Sequence, residues 1–260
     1  MAVAYSITAS GRYEPFELQV SRGQIMGHRA VTLFGYNADV DTAEETIWTG
    51  GGILTSPAAA GVLKVSSSSA DDNSAGTGAR TIVLMGLDAN YNEISETITL
   101  NGQTAVNTVK SFLRVNYLYV TTVGSGGTAA GTIYVGTGVV TAGVPATIYG
   151  QIAVGDNASL MAHYTVPAGY TAYMTYGNIG TGQLTGAHTV TGRLLTTNGN
   201  GIRKTAAIVA FGTGVQNFVF KEPLMIPEKN DIEASAVSSA GNASVSATIQ
   251  LVLVKNDITG

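Results

Sequence analysis

The sequence has no cysteine, so it carries no disulfide framework, no thiolate metal site and no cysteine nucleophile. It is also short of charge. Asp, Glu, Lys and Arg make up 12% of its 260 residues, against roughly 25% in an ordinary soluble domain. The net charge is −4, which leaves no broad basic surface for phosphates, and no nucleic-acid partner is expected. Long apolar runs are missing as well. None approaches the ~18 residues that cross a bilayer, so no membrane partner is expected either. The opening stretch from Met1 to Thr8 lacks a charged leader and a clean hydrophobic segment, and reads as no signal peptide. What the chain does have is 45% hydrophobic residues, enough for a core, which excludes a disordered tail.

The pattern along the chain is that of strands and turns. Residues 81–87 and 94–100 are the best pair. In the second, Ile94, Glu96, Ile98 and Leu100 alternate with Ser95, Thr97 and Thr99, a period of two with Glu96 the misfit on the apolar side. The turn formers of residues 88–93 join the two as a hairpin. Further strands are expected at 112–122, 131–138, 189–195, 204–211, 216–220, 232–237 and 245–254. Residues 160–166 and 170–176 read as another hairpin closed by Pro167-Ala168-Gly169. The one helical signal is Asp41–Trp48, with Asp41 as cap, stopped by Gly50-Gly51-Gly52. Short strands spaced by Gly, Asn and Pro point to an all-β chain of two β-sandwich or jelly-roll-like modules with an extended N-terminal arm. The expected division is 1–30 as arm or edge segment, 31–150 as first β domain and 151–260 as second, jelly-roll-like, β domain. The first segment holds Arg12, Arg22, His28 and Arg29 but few alternating runs. It reads equally as an arm packing on a neighbouring subunit or as an edge strand with a loop.

Reactive chemistry finds little footing. A hydrolase triad needs a nucleophile, a base and an orienting acid. The three histidines, His28, His163 and His188, stand apart in the sequence, no G-x-S-x-G elbow is present, and structural roles are expected for them. Asp88-Ala-Asn-Tyr-Asn begins like a calcium loop. Glu93 then stands where the loop needs Gly, and Thr99 where it needs a bidentate Glu. The strings Gly76-Thr-Gly78, Gly136-Thr-Gly138 and Gly212-Thr-Gly214 lack the following helix that a phosphate loop requires. Glu14/Glu17, Glu44/Glu45 and Glu93/Glu96 are the carboxylate pairs available for glycosidase chemistry, without a local signature. No catalytic residue, metal or cofactor is expected. Tyr164, Tyr170, Tyr173 and Tyr176 gather in one stretch, and tyrosine suits both interfaces and sugar stacking.

Several strings carry a family likeness: Phe16–Ile25, Phe34-Gly-Tyr-Asn37, Glu45-Thr-Ile-Trp48, Gly76–Thr81, Ser95–Gly102 and Tyr164-Thr-Val-Pro-Ala-Gly169. Together, from about residue 16 to 254, they resemble a group of virion structural proteins of tailed bacteriophages, abundant in marine phages. The resemblance implies a non-enzymatic protein located in the virion, on the capsid surface or in the tail or collar. It also implies partners among copies of itself, as a homotrimer, and the major capsid protein or other virion proteins. A capsid decoration or cement role is the first expectation. A tail, collar or fibre component contacting host glycan is the second, and a jelly-roll carbohydrate-active enzyme the third. The expected contact residues are Phe16, Arg22, Arg29, Phe34 and Trp48, with Tyr164, Tyr170, Tyr173 and Tyr176.

Overall fold

The computed structural model describes residues 14–182 and 188–257. They form one short helix, α1 (Phe16–Ser21), and sixteen strands. The strands are β1 (His28–Val40), β2 (Glu45–Thr46), β3 (Gly61–Ser67), β4 (Ala79–Leu87), β5 (Glu93–Thr99), β6 (Val106–Phe112), β7 (Arg114–Val123) and β8 (Ile133–Thr141). They continue with β9 (Val144–Ile152), β10 (His163–Thr165), β11 (Tyr170–Thr181), β12 (Val190–Thr197), β13 (Arg203–Phe211), β14 (Gly214–Ile226), β15 (Asp231–Ser238) and β16 (Ala243–Lys255). The fold is all-β, as the turn-punctuated alternation predicts.

Two sandwiches share the chain. One pairs a sheet ordered β1-β16-β11-β14 with a sheet ordered β10-β15-β12-β13, to which β2 adds on β15. Counting only its eight main strands in chain order, the two sheets read 1-8-3-6 and 2-7-4-5, the jelly-roll order. β16 shows why these residues make such strands. Val245, Ala247, Ile249, Leu251 and Leu253 point inward and are buried, while Ser246 and Gln250 point out. The inward residues meet Val190, Ile232 and Ala234 of the facing sheet in one core. The other sandwich packs β6-β3-β8-β9 against β5-β4-β7 around Leu63, Ile82, Leu84, Phe112, Leu118 and Ile133.

The second sandwich is inserted between β2 and β10 of the first. Trp48 and Met161 pair across the neck, and the Thr49 N–H donates to the Leu160 carbonyl at 3.3 Å. This corrects the expected division of the chain. Residues 28–48 belong with the C-terminal sandwich, because β1 runs antiparallel to β16 in register from His28↔Val254 to Val40↔Ala243. The stretch around 140–157 is no boundary, since β9 lies inside it and pairs with β8. The N-terminal segment is not wholly extended: α1 occupies Phe16–Ser21. Asp41–Trp48, expected as a helix, is a loop with the two-residue strand β2, because Thr46 and Glu45 pair with Ser235 and Ala236. The 160–176 hairpin does not form either. β10 pairs with β15, while β11 crosses to the other sheet and pairs with β14 and β16. A Pro-Ala-Gly turn is compatible with either path, and only the distant strand partners decide.

Two buried carboxylates order the connections. Asp72 accepts the Ser67 hydroxyl at 2.6 Å and the backbone N–H groups of Ala79, Ala130 and Gly131 at 2.7–2.9 Å. Glu45 accepts the Asn37 amide and the Gly52 N–H at 2.8 Å, and the Asp41 N–H at 3.1 Å. Each replaces lost hydration with fixed donors, which is what a buried charge requires.

Candidate functional site

The sheet β1-β16-β11-β14 covers its inner face with the core and leaves its outer face open. Registers place four rows on that face. They are Ala30–Val252–Tyr173–Met225, Thr32–Gln250–Tyr176–Val219, Phe34–Thr248–Asn178–Asn217 and Tyr36–Ser246–Gly180–Val215. None of these sixteen residues is charged. Val219, Met225, Val215 and Phe34 are 76%, 59%, 59% and 56% exposed, which is unusual for apolar side chains on one contiguous face. The middle of the face is ordered by a cross-strand chain. The Asn178 amide donates to the Tyr176 hydroxyl at 3.2 Å, which donates to the Asn217 carbonyl oxygen at 2.7 Å. Two exposed charges, Lys221 and Glu222, stand on the edge strand β14 between Val219 and Met225, where its register slips, and Arg29 precedes Ala30 on β1.

The opposite sheet carries the charge. On it Arg203 bridges Glu44 at 3.2 Å and Glu233 at 2.9 Å, Arg193 faces Glu44 at 3.5 Å, and the Ser235 hydroxyl donates to Glu44 at 2.6 Å. Partial burial opposes ionisation of Glu44, but the Ser235 hydrogen bond and the two guanidinium groups overcome it and lower its pKa.

A cleft of about 310 Å³ runs between β1 and the outer face of β4, β5 and β7, where Leu33, Met85, Tyr117 and Tyr164 line it. At its end Arg29 grips Glu93 with two hydrogen bonds, of 2.6 and 3.0 Å, and lies 5.4 Å from the centre of the Tyr170 ring. Burial works against the Arg29 charge, but the Glu93 carboxylate outweighs it and the net direction is upward. Burial pushes the Tyr164 hydroxyl up, with Arg29 pulling the other way. The inserted sandwich is fixed to the jelly roll here by further contacts. Asn116 of β7 donates to the Thr165 carbonyl and accepts the Thr165 N–H, both at 3.0 Å. Arg114 faces Asp231 at 3.5 Å.

The nine residues singled out from sequence are therefore divided. Phe34, Tyr173 and Tyr176 come together on the open face. Arg29 and Tyr170 meet at the cleft. Phe16 on α1 packs edge-on against the His28 ring, and Arg22 pairs with Glu14. Trp48 is buried within the chain, and Tyr164, buried as well, lines the cleft. The Trp48 ring covers Gly50, and its Nε1–H donates to the Gly51 carbonyl at 2.8 Å. Residues missed from sequence are Tyr36, Val215, Val219 and Met225. The alternation Val215, Asn217, Val219 was there to be seen, but nothing local told which face was open.

The groups proposed for reactivity are held in place by structure. Glu14 pairs with Arg22, Glu93 with Arg29 and Glu44 with two arginines, while Glu96 accepts the N–H groups of Val109 and Lys110. Asp88, the head of the calcium-like string, accepts the N–H groups of Asn90 and Asn92 and closes the β4–β5 hairpin. Among the described residues no three His, Asp or Glu side chains gather as a metal site.

No family model matches the chain, and no curated protein matches it. Among solved structures, it resembles the VP2 subviral particle of infectious bursal disease virus at 10% identity, over 89% of this chain and 72% of that one, with a TM-score of 0.25. The Gx strain of the same virus gives 10% identity over 90% and 77% of the two chains, with a TM-score of 0.23. Superpositions this loose assign neither fold nor function.

Proposed function

We propose that this chain is a non-enzymatic structural protein of a virion, a decoration or cement protein that binds the outer shell of a tailed-phage capsid and stabilises it. One observation carries the reading. The carboxylates Glu14, Glu44, Glu45, Glu93 and Glu96 are each engaged by donors within the chain, while a broad sheet face with few charges stands open. The molecule offers surface rather than poised groups. The jelly-roll strand order is in keeping with this, since capsid proteins use it, though lectins and cupins do too. The family likeness of the sequence points the same way.

A cement protein binds the assembled shell and not its separate subunits, so it stabilises the shell by mass action. Purified protein titrated onto undecorated, expanded capsids of the phage that encodes it is expected to saturate and to raise the capsid melting temperature. Absence of saturable binding overturns the decoration role. Counting copies per particle by quantitative mass spectrometry separates the remaining placements: hundreds belong to a shell, and about three to eighteen to a tail or collar.

A further inference from the structure

We propose that the cleft between β1 and the inserted sandwich takes the chain's own N-terminal segment, residues 2–8, added to the free edge of β1 as a further strand. The proposal goes beyond the decoration role and does not depend on it.

The edge is the first part of the site. β1 pairs on one side only, with β16. The Lys255 N–H donates to the Gly27 carbonyl at 2.9 Å, so Gly27 and Lys255 form a hydrogen-bonded pair. Antiparallel pairs alternate between bonded and open, and the register runs unbroken from His28 to Asn37. Arg29, Val31 and Leu33 therefore turn their backbone groups to β16, while His28, Ala30 and Thr32 turn theirs away. The His28 N–H fits this phase, since it donates to the Ile25 carbonyl at 3.1 Å, outside the sheet. Among the described residues nothing pairs with the N–H and C=O groups that Ala30 and Thr32 aim outward. The second part is the wall. Residues 29–33 line one side of the cleft of about 310 Å³, and Met85, Ile94 and Tyr117 of the inserted sandwich line the other. Met85 and Tyr117 are 40% and 41% exposed there. A row of free donors and acceptors beside an apolar wall is what strand addition uses: main-chain bonds hold the strand and alternate side chains fill the wall.

Three features choose residues 2–8 as the occupant. The first is pattern. Val3, Tyr5 and Ile7 alternate with Ala2, Ala4, Ser6 and Thr8, and the first charged side chain in the sequence is Arg12. Such a strand lays its larger apolar side chains on the wall and turns the small ones to solvent. The second is place. The Phe16 ring of α1 meets the His28 ring edge-on at 5.8 Å, and Arg22 pairs with Glu14. Residues 1–13, outside the described residues, thus join the chain beside the start of β1, next to Arg29. Residues 9–13, with Gly11 among them, are enough to turn back, and residues 2–8 then run antiparallel to β1. Extended, they span ~20 Å, against ~14 Å from Arg29 to Leu33. The third is tethering. A segment joined this closely meets the cleft at an effective concentration in the millimolar range, far above that of a separate peptide in solution.

The test reads amide hydrogen exchange in the full chain. The Ala30 and Thr32 N–H groups are expected to be protected, and deletion of residues 2–8 is expected to speed their exchange by about 10-fold or more. Ala234 and Ala236, inside the facing sheet, are expected to stay unchanged, which checks that the jelly roll still folds. The triple variant Val3→Asp, Tyr5→Asp, Ile7→Asp sets charge against the apolar wall and is expected to release the same two amides. A synthetic peptide of residues 2–9 added to the truncated chain is expected to restore their protection and to saturate. Exchange at Ala30 and Thr32 that is fast in the full chain, or equally slow in both chains, overturns the proposal. Protection present only in an oligomer and lost on dilution to the monomer gives the cleft to a neighbouring copy, and overturns it too. Protection in a chain that does not bind capsids keeps the added strand and removes the decoration role.

Discussion

Asp72 is fully buried, and its four donors come from three separate stretches of the chain. Asp72→Ala strands the buried N–H groups of Ala79 and Gly131, and the expected loss is about 2–4 kcal/mol of stability by urea unfolding. Asp72→Asn keeps the shape and one acceptor oxygen, so a smaller loss is expected. Glu44 makes a prediction in pH. Its folded pKa lies below its ordinary value of 4.5, so the ionised pairings with Arg203, Arg193 and Ser235 stabilise the protein above that value. The contribution fades as pH falls through and beneath it. Melting curves from pH 6 down to pH 3 are expected to show a shallower acid decline in Glu44→Gln than in the parent. Neither role was readable in advance. Nothing local marks Asp72 as buried, because its donors are as far away in sequence as Gly131.

At the scale of elements, the neck and the docking seam hold the two sandwiches in register. Asn116 acts as a substitute strand, since its amide gives Thr165 the donor and the acceptor that a backbone neighbour would. Asn116→Leu leaves both Thr165 groups buried and unpaired, at a cost of about 2–4 kcal/mol. Amide hydrogen exchange at Thr165 is expected to accelerate more than exchange in β16. Gly35 is the tight point of β1: a Cβ there would drive into the Ile47 carbonyl oxygen and the Ala162 side chain. Gly35→Ala is expected to lower the melting temperature by several degrees, because β1 must lift from the neck to admit it. Most strands could be read from the sequence wherever alternation was strong, as in β5 and β16. β1 was not. Its inward positions include Gly35 and Asn37, which interrupt the apolar period that marks a half-buried strand. The helix expected at Asp41–Trp48 failed for a related reason: Glu45 spends its carboxylate on Asn37, Asp41 and Gly52, which fixes a loop that local preference does not foresee.

The whole molecule is a jelly roll interrupted by a second sandwich with its own core. Sequence spacing gave two β modules and could not give the nesting, because nothing local in His28–Val40 announces that its partner is Ala243–Lys255. Residues 48–161 expressed alone are expected to fold cooperatively, since Trp48 and Met161 belong to that core, and dispersed amide resonances will check it. The nesting also sets an order of events during synthesis. A ribosome finishes the inserted sandwich well before it makes β16, the strand against which β1 zips. The wait is roughly 200 residues, or about 10–40 s at ordinary elongation rates. Throughout it, Leu33 and Val40 have nowhere to hide, and the nascent chain trails an uncovered ribbon. Stalled translation products ending near residue 200 are therefore expected to resist protease across 48–161 and to be cut within 28–40, because β16, the strand that shelters β1, has yet to be made.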